Sequence, residues 1–184
     1  MIGKEIMIIK TVKGLLWMLL IAALLVALLA AANRLPSLTQ QGFARQYAGI
    51  EEAKRSLGLG PVPVPAYFPE GIAWPPSFVL AQKRPYEAVV MEFKKTGSME
   101  TALIVVQSTV RGEDARLQRI TLSDVQQETR SPLKGGRSAL LQVGTCDNGA
   151  RCSRMAWQDN GFYYSVLLMS SPFELTKIAE SMVR

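Results

Sequence analysis

The sequence contains no histidine. Without an imidazole there is no His general base, no Ser-His-Asp or Cys-His nucleophile, no His-ligated zinc and no C-x-x-C-H haem attachment. Cysteine is nearly absent too: Cys146 and Cys152 are the only two in 184 residues, and neither follows the N-terminal hydrophobic run as a lipoprotein would require. Internal repeats and low-complexity tracts are missing. Carboxylates do not cluster in a way that suggests a metal: Glu113-Asp114 falls in a polar stretch, and Asp124 and Glu128 could share a helical face, so both read as solvated surface. No metal, no cofactor and no catalytic residue are expected.

One apparent catalytic signal fails on order. Ser131-Pro132-Leu133-Lys134 has the form S-x-x-K and Lys95-Thr96-Gly97 the form K-T-G, as in penicillin-recognising serine enzymes. Here K-T-G precedes S-x-x-K, no S-D-N stands between them, and Gly135-Gly136 puts the lysine in a turn. The expectation is a protein that is not an enzyme.

What the chain has in excess is apolar sequence near its start. Of its residues 48% are hydrophobic, with an uncharged run from Gly14 to Ala32, GLLWMLLIAALLVALLAAA. As a helix this run would rise roughly 28 Å, close to a bilayer's hydrocarbon core. A transmembrane helix over 14–32 is therefore expected. Lys4, Lys10 and Lys13 precede it, so residues 1–13 should be a cytoplasmic N-terminus and everything beyond should be exported. Ala30-Ala31-Ala32 would also suit cleavage of a signal peptide, but the run is longer than the usual h-region. Ala23, Ala27 and Ala31 recur every fourth residue, a small-residue face on which another membrane helix could pack.

Residues 33–59 read as a stalk helix and linker. Ser37-x-x-Gln40 has the form of a capping box, and Phe43, Tyr47, Ile50 and Leu57 fall on one face of an amphipathic helix, a candidate stalk interface. Gly58, Gly60, Pro61, Pro63 and Pro65 then impose an extended connector.

Residues 60–184 read as an α+β domain. Short runs rich in Val, Ile, Leu and aromatics predict antiparallel strands near 78–83, 87–94, 101–108, 119–122, 138–146, 152–158 and 162–169. Turns are marked by Lys95-Thr96-Gly97-Ser98, Asn148-Gly149 and Asp159-Asn160-Gly161. Ser171-Pro172-Phe173-Glu174, another capping box, should open a C-terminal helix with Leu175, Ile178, Ala179 and Met182 facing the sheet. Cys146 and Cys152 flank the Asn148-Gly149 turn, and in an oxidising compartment a disulfide across this hairpin is expected.

Net charge is +6, with 21 Lys and Arg against 15 Asp and Glu. Eight of these 21 positive residues fall in three separate regions: Arg111, Arg116 and Arg119; Arg130, Lys134 and Arg137; Arg151 and Arg154. Scattered in this way they read as a mixed solvated surface and do not suggest nucleic acid. If the three regions converge, they could face anionic headgroups or an acidic partner. The aromatics Trp157, Phe162, Tyr163 and Tyr164 read chiefly as core, with a lipid or peptide groove as the alternative.

The succession PAYFPEGI, ALIVVQS, SPLKGGRSALLQ, RMAWQDNGFYYSVLL and SPFELTKIAESM resembles a bacterial family of membrane-anchored extracytoplasmic domains of unknown function. That family is distantly similar to the RseB/MucB and lipoprotein-carrier superfamily. The resemblance covers about 65–183 and implies a curved antiparallel sheet with a packed helix and no enzyme. It also implies residence at the bacterial inner membrane, with the C-terminal domain periplasmic or extracellular. Two functions follow as expectations: an accessory or interaction subunit of a cell-envelope membrane complex, in contact with the lipid bilayer and other membrane protein subunits, or a lipid- or lipoprotein-binding or envelope-sensing module.

Overall fold

The computed structural model describes residues 17–26, 44–112 and 116–183. The chain divides into two units, Met1–Gly42 and Phe43–Arg184. The first contributes one described helix, α1, over 17–26, with every residue exposed. The transmembrane helix expected over 14–32 is corrected: among the described residues no helix is long and apolar enough to cross a membrane. Residues 14–16 and 27–32 lie outside the described residues. Ala23 is exposed on α1, while Ala27 and Ala31 are not described.

The second unit is a single antiparallel sheet of eight strands: β1 (Arg45–Tyr47), β2 (Phe78–Gln82), β3 (Ala88–Lys94), β4 (Thr101–Ser108), β5 (Leu122–Leu133), β6 (Arg137–Cys146), β7 (Arg151–Asp159) and β8 (Phe162–Leu168). Spatial order is β1-β2-β3-β4-β8-β7-β6-β5. Two four-strand meanders thus meet where β4 pairs with β8. Two short helices complete the unit, α2 (Ile50–Leu57) and α3 (Leu175–Met182). The fold is mostly one antiparallel sheet with three short helices, where a membrane helix and a long stalk helix were expected ahead of a sheet with a C-terminal helix.

The stalk is the second correction. Its middle turns at Gly49, so Arg45–Tyr47 becomes an edge strand on β2 and, among its described residues, only Ile50–Leu57 is helical; Ser37 and Gln40 lie outside the described residues. Tyr47, Ile50 and Leu57 pack against the domain's own core, which is why the apolar positions exist; Phe43 lies outside the described residues.

Alternation decides which side chains share a face. On one face Val79, Val89, Met91, Phe93, Leu103, Val105, Met155, Trp157, Val166 and Leu168 form the main core under Ala53 of α2 and Leu175, Ile178, Ala179 and Met182 of α3. The connector strapped beside them is tied to α3: Ala66 N–H donates to Ser181 Oγ at 3.1 Å, and the Tyr67 hydroxyl donates to Glu174. That bond holds the Glu174 carboxyl below its ordinary pKa, assisted by Lys177. α3 begins at Leu175 with no side-chain cap, so Ser171 does not cap it as its sequence suggests.

Among the described residues, the opposite face is covered over only half its width. Val90, Ile104, Val106 and Leu167 form a smaller cluster, closed by Leu117 and Ile120 from the β4–β5 connection. Arg119 from the same connection lies 4.0 Å above the Phe78 ring and brings Nε to 4.0 Å from the buried Glu92 carboxylate. Burial raises the Glu92 pKa, opposed in part by Arg119 and Lys94. As pH rises past the ordinary glutamate value, the unfolded chain releases this proton first, so the folded state loses stability until Glu92 itself ionises. Glu92→Gln removes that loss. Its stability advantage over wild type is expected to grow from pH 4 to pH 7 in parallel urea titrations, and a difference independent of pH would reject the assignment.

Candidate functional site

The uncovered half of that face is made by β5 to β8. Register sets its floor: Arg130 stands opposite Leu140, Leu140 opposite Ala156 and Ala156 opposite Ser165. The neighbouring rows place Gln142 beside Arg154, and Ser138 near Gln158 and Tyr163. With Arg111 and Gly112 from the β4–β5 connection, these residues line an open cleft of about 570 Å³. That volume lies within the range of small-ligand sites.

Three arginines line the cleft, and among its described lining residues there is no carboxylate. Each comes from a different one of the three basic regions in the sequence, so the folding of the sheet assembles Arg111, Arg130 and Arg154. Arg154 is oriented from within: its Nε–H donates to Ser165 Oγ at 2.8 Å. Gln142 donates from Nε2 to the Glu128 carboxylate on β5 at 2.7 Å. Arg111 and Arg130 are exposed. Hydroxyl, amide and guanidinium groups above an Ala and Leu floor can accept hydrogen bonds from, and donate them to, a polar ligand; nothing among them forms a nucleophile and base pair.

The aromatics divide between the faces. Trp157 is buried in the main core and stacks on Tyr164 at 5.3 Å, whereas Tyr163, displaced by one residue, lies on the cleft face. Burial raises the Tyr164 pKa, with Asp159 adding to it. Trp157, Tyr163 and Tyr164 all border the cleft, and Phe162 is not among its described lining residues.

Cys146 and Cys152 are joined by a disulfide with Cα atoms 5.9 Å apart, at the far end of the same face from Tyr163. The turn between them runs differently from the one that Asn148-Gly149 suggests. Only Gly149 has positive φ, and Asn148 Oδ1 instead accepts from Ala150 N–H at 3.1 Å. Both central residues are left-handed at Asn160-Gly161, where a two-residue hairpin turn joins β7 to β8.

No family model, curated protein or solved structure matches the chain. The likeness to the RseB/MucB and lipoprotein-carrier superfamily therefore rests on the quoted motifs alone. Among the described residues no three His, Cys, Asp or Glu side chains come together as a metal site would need.

Sequence reasoning named the arginine regions without naming the cleft. It passed over Gln142, Gln158, Ser138 and Ser165 altogether, because polar residues at alternate strand positions look like ordinary solvent-facing pleats. No local signal distinguishes the two cases.

Proposed function

We propose that residues 44–183 form a non-enzymatic, extracytoplasmic interaction domain, the accessory part of a bacterial cell-envelope assembly, and that its partner docks in the β5–β8 cleft. The observation that carries this reading is the unequal covering of the sheet. Among the described residues, helices and connector close one face, the β4–β5 connection closes half of the other, and the remaining half is an open cleft lined by polar side chains and three arginines. Export is supported by the buried Cys146–Cys152 bridge, since such bonds persist in oxidising compartments.

The test places a photo-crosslinking amino acid at Gln158, on the cleft, or at Lys95, in the β3–β4 turn, of the full chain in producing cells. The Gln158 position should yield one dominant, stoichiometric protein adduct that Lys95 does not. Ala156→Trp, which fills the floor, should remove it. Equal adducts from both positions, or an adduct indifferent to Ala156→Trp, would reject the cleft as the docking site.

A further inference from the structure

We infer that the outer edge of β5 is a self-association surface, on which a second copy of this chain adds its own β5 antiparallel about a two-fold axis at Thr129. The contact requires nothing of the cleft's occupant, so it stands or falls apart from the docking proposed above.

The edge itself is the first reason. Among the described residues β5 pairs only with β6, although it runs for 12 residues, and Ser123 to Arg130 are all exposed. Unpaired N–H and C=O groups along such an edge are a template for another strand, which proteins ordinarily blunt with lysine, proline, bulges or brevity. The opposite edge, β1, is brief, at three residues. On β5 the register shifts end at Gln127, the proline comes only at Pro132, and there is no lysine. Gln127 to Ser131 is thus a regular and unguarded stretch.

Self-complementarity is the second reason, and it names the occupant. Opposed residues in a sheet share a face, so two copies related by a two-fold axis must centre on one residue, which then stands opposite itself. Centring on Glu128 opposes two carboxylates, and centring on Arg130 opposes two guanidinium groups; like charges so placed destabilise a strand pair. Centring on Thr129 sets Glu128 opposite Arg130 of the second copy and Arg130 opposite its Glu128, with Gln127 facing Ser131. Both opposite-charge pairs fall on the cleft side of the sheet, since Glu128 and Arg130 stand across from Gln142 and Leu140 on β6. Glu128 already accepts from Gln142 at 2.7 Å, but a carboxylate offers about four acceptor positions, which leaves capacity for an arginine from the other side. A strand of unrelated sequence would match the order Glu128-Thr129-Arg130 only by chance.

The experiment uses the full chain in mild detergent. Cys146 and Cys152 are bonded to each other, so one added cysteine supplies the thiol to be tested. Directly opposed residues have Cα atoms roughly 4.5 to 5.5 Å apart, within the roughly 4.4 to 6.8 Å that a disulfide spans. Thr129→Cys should therefore give a covalent dimer under mild oxidation. Gln127→Cys should not, because its two copies are displaced by roughly 13 Å along the strands at about 3.3 Å per residue. Glu128→Arg and Arg130→Glu should each weaken self-association roughly tenfold by sedimentation, and the two together should restore it, because opposed charges are again unlike. Restoration also excludes loss of the Gln142 bond as the cause, since the double variant does not repair that bond. Equal covalent dimer from Thr129→Cys and Gln127→Cys would mean random collision and overturn the inference. So would a monomer at every concentration, or self-association indifferent to the charge reversals, which would place the contact on another surface.

Discussion

Gly144→Ala is expected to destabilise the domain by about 3 kcal/mol, at or beyond the upper end of ordinary overpacking, and to lower Tm by on the order of 10 °C. The reason is space. A Cβ at Gly144 would stand 1.8 Å from the Asp124 carbonyl oxygen and 2.9 Å from its carbon, with the Val125 Cα at 3.2 Å. All three are backbone, so no side-chain rotation relieves the clash. β5 comes so close because its pairing with β6 shifts register between Leu122 and Asp124 and again between Val125 and Gln127, and between those shifts Gly144 stands opposite Val125. Backbone conformation plays no part, since Gly144 lacks positive φ. Gly60→Ala, with nothing within 4 Å and no positive φ, is the matched control and should be near neutral. Because β5 is tied in the sheet only to β6, hydrogen exchange should accelerate first in β5 and β6, with β2 to β4 still protected. A loss below 1 kcal/mol in urea unfolding would mean that β5 can lift away at little cost.

Phe93→Ala should cost about 3–5 kcal/mol, the range for deleting a fully buried aromatic ring. Phe93 is fully buried at the main core's edge, where its ring centroid lies 5.1 Å from that of Phe68 and 6.0 Å from that of Trp74. Its removal therefore leaves a cavity and deprives the 68–74 connector of the surface it rests on. Trp74 is already 58% exposed, so its fluorescence should shift further to the red in the variant. Phe173→Ala provides the contrast: that ring is 83% exposed, and its loss should change stability by under about 0.5 kcal/mol. Equal effects at the two positions would contradict the packing described.

The strands that announced themselves in the sequence are those with one or both faces buried. β2, β3, β4, β6, β7 and β8 carry apolar runs bounded by turn residues, and Leu175, Ile178, Ala179 and Met182 mark the face of α3. β5 did not, although it is the longest strand. Its residues from Ser123 to Arg130 are all exposed, and an edge strand with water on both sides has no apolar alternation to display, so Asp124 and Glu128 passed as a helical pair. β1 was hidden by coincidence. Tyr47 reaches the core from a strand and Ile50 and Leu57 reach it from a helix, and their spacing imitates one continuous helix across Gly49. The apolar run at 14–32 met the length expected of a membrane span, yet among the described residues no helix is long and apolar enough to be one. The cleft lay beyond local reading because Arg111, Arg130 and Arg154 meet only through pairing of strands far apart in the chain.

The strand order also determines how the domain would respond to tension. A pull arriving from the N-terminal side enters at β1, three residues hydrogen-bonded only to β2 at the sheet's edge, and meets the ladders one after another. Unzipping of this kind yields at low force, and it proceeds through β2 and β3 before reaching the β4–β8 junction. The cleft is built from strands on the far side of that junction. Mechanical load carried through the leading segment would therefore be spent on dispensable edge pairing, and an occupant of the cleft would remain seated while the N-terminal meander lengthens.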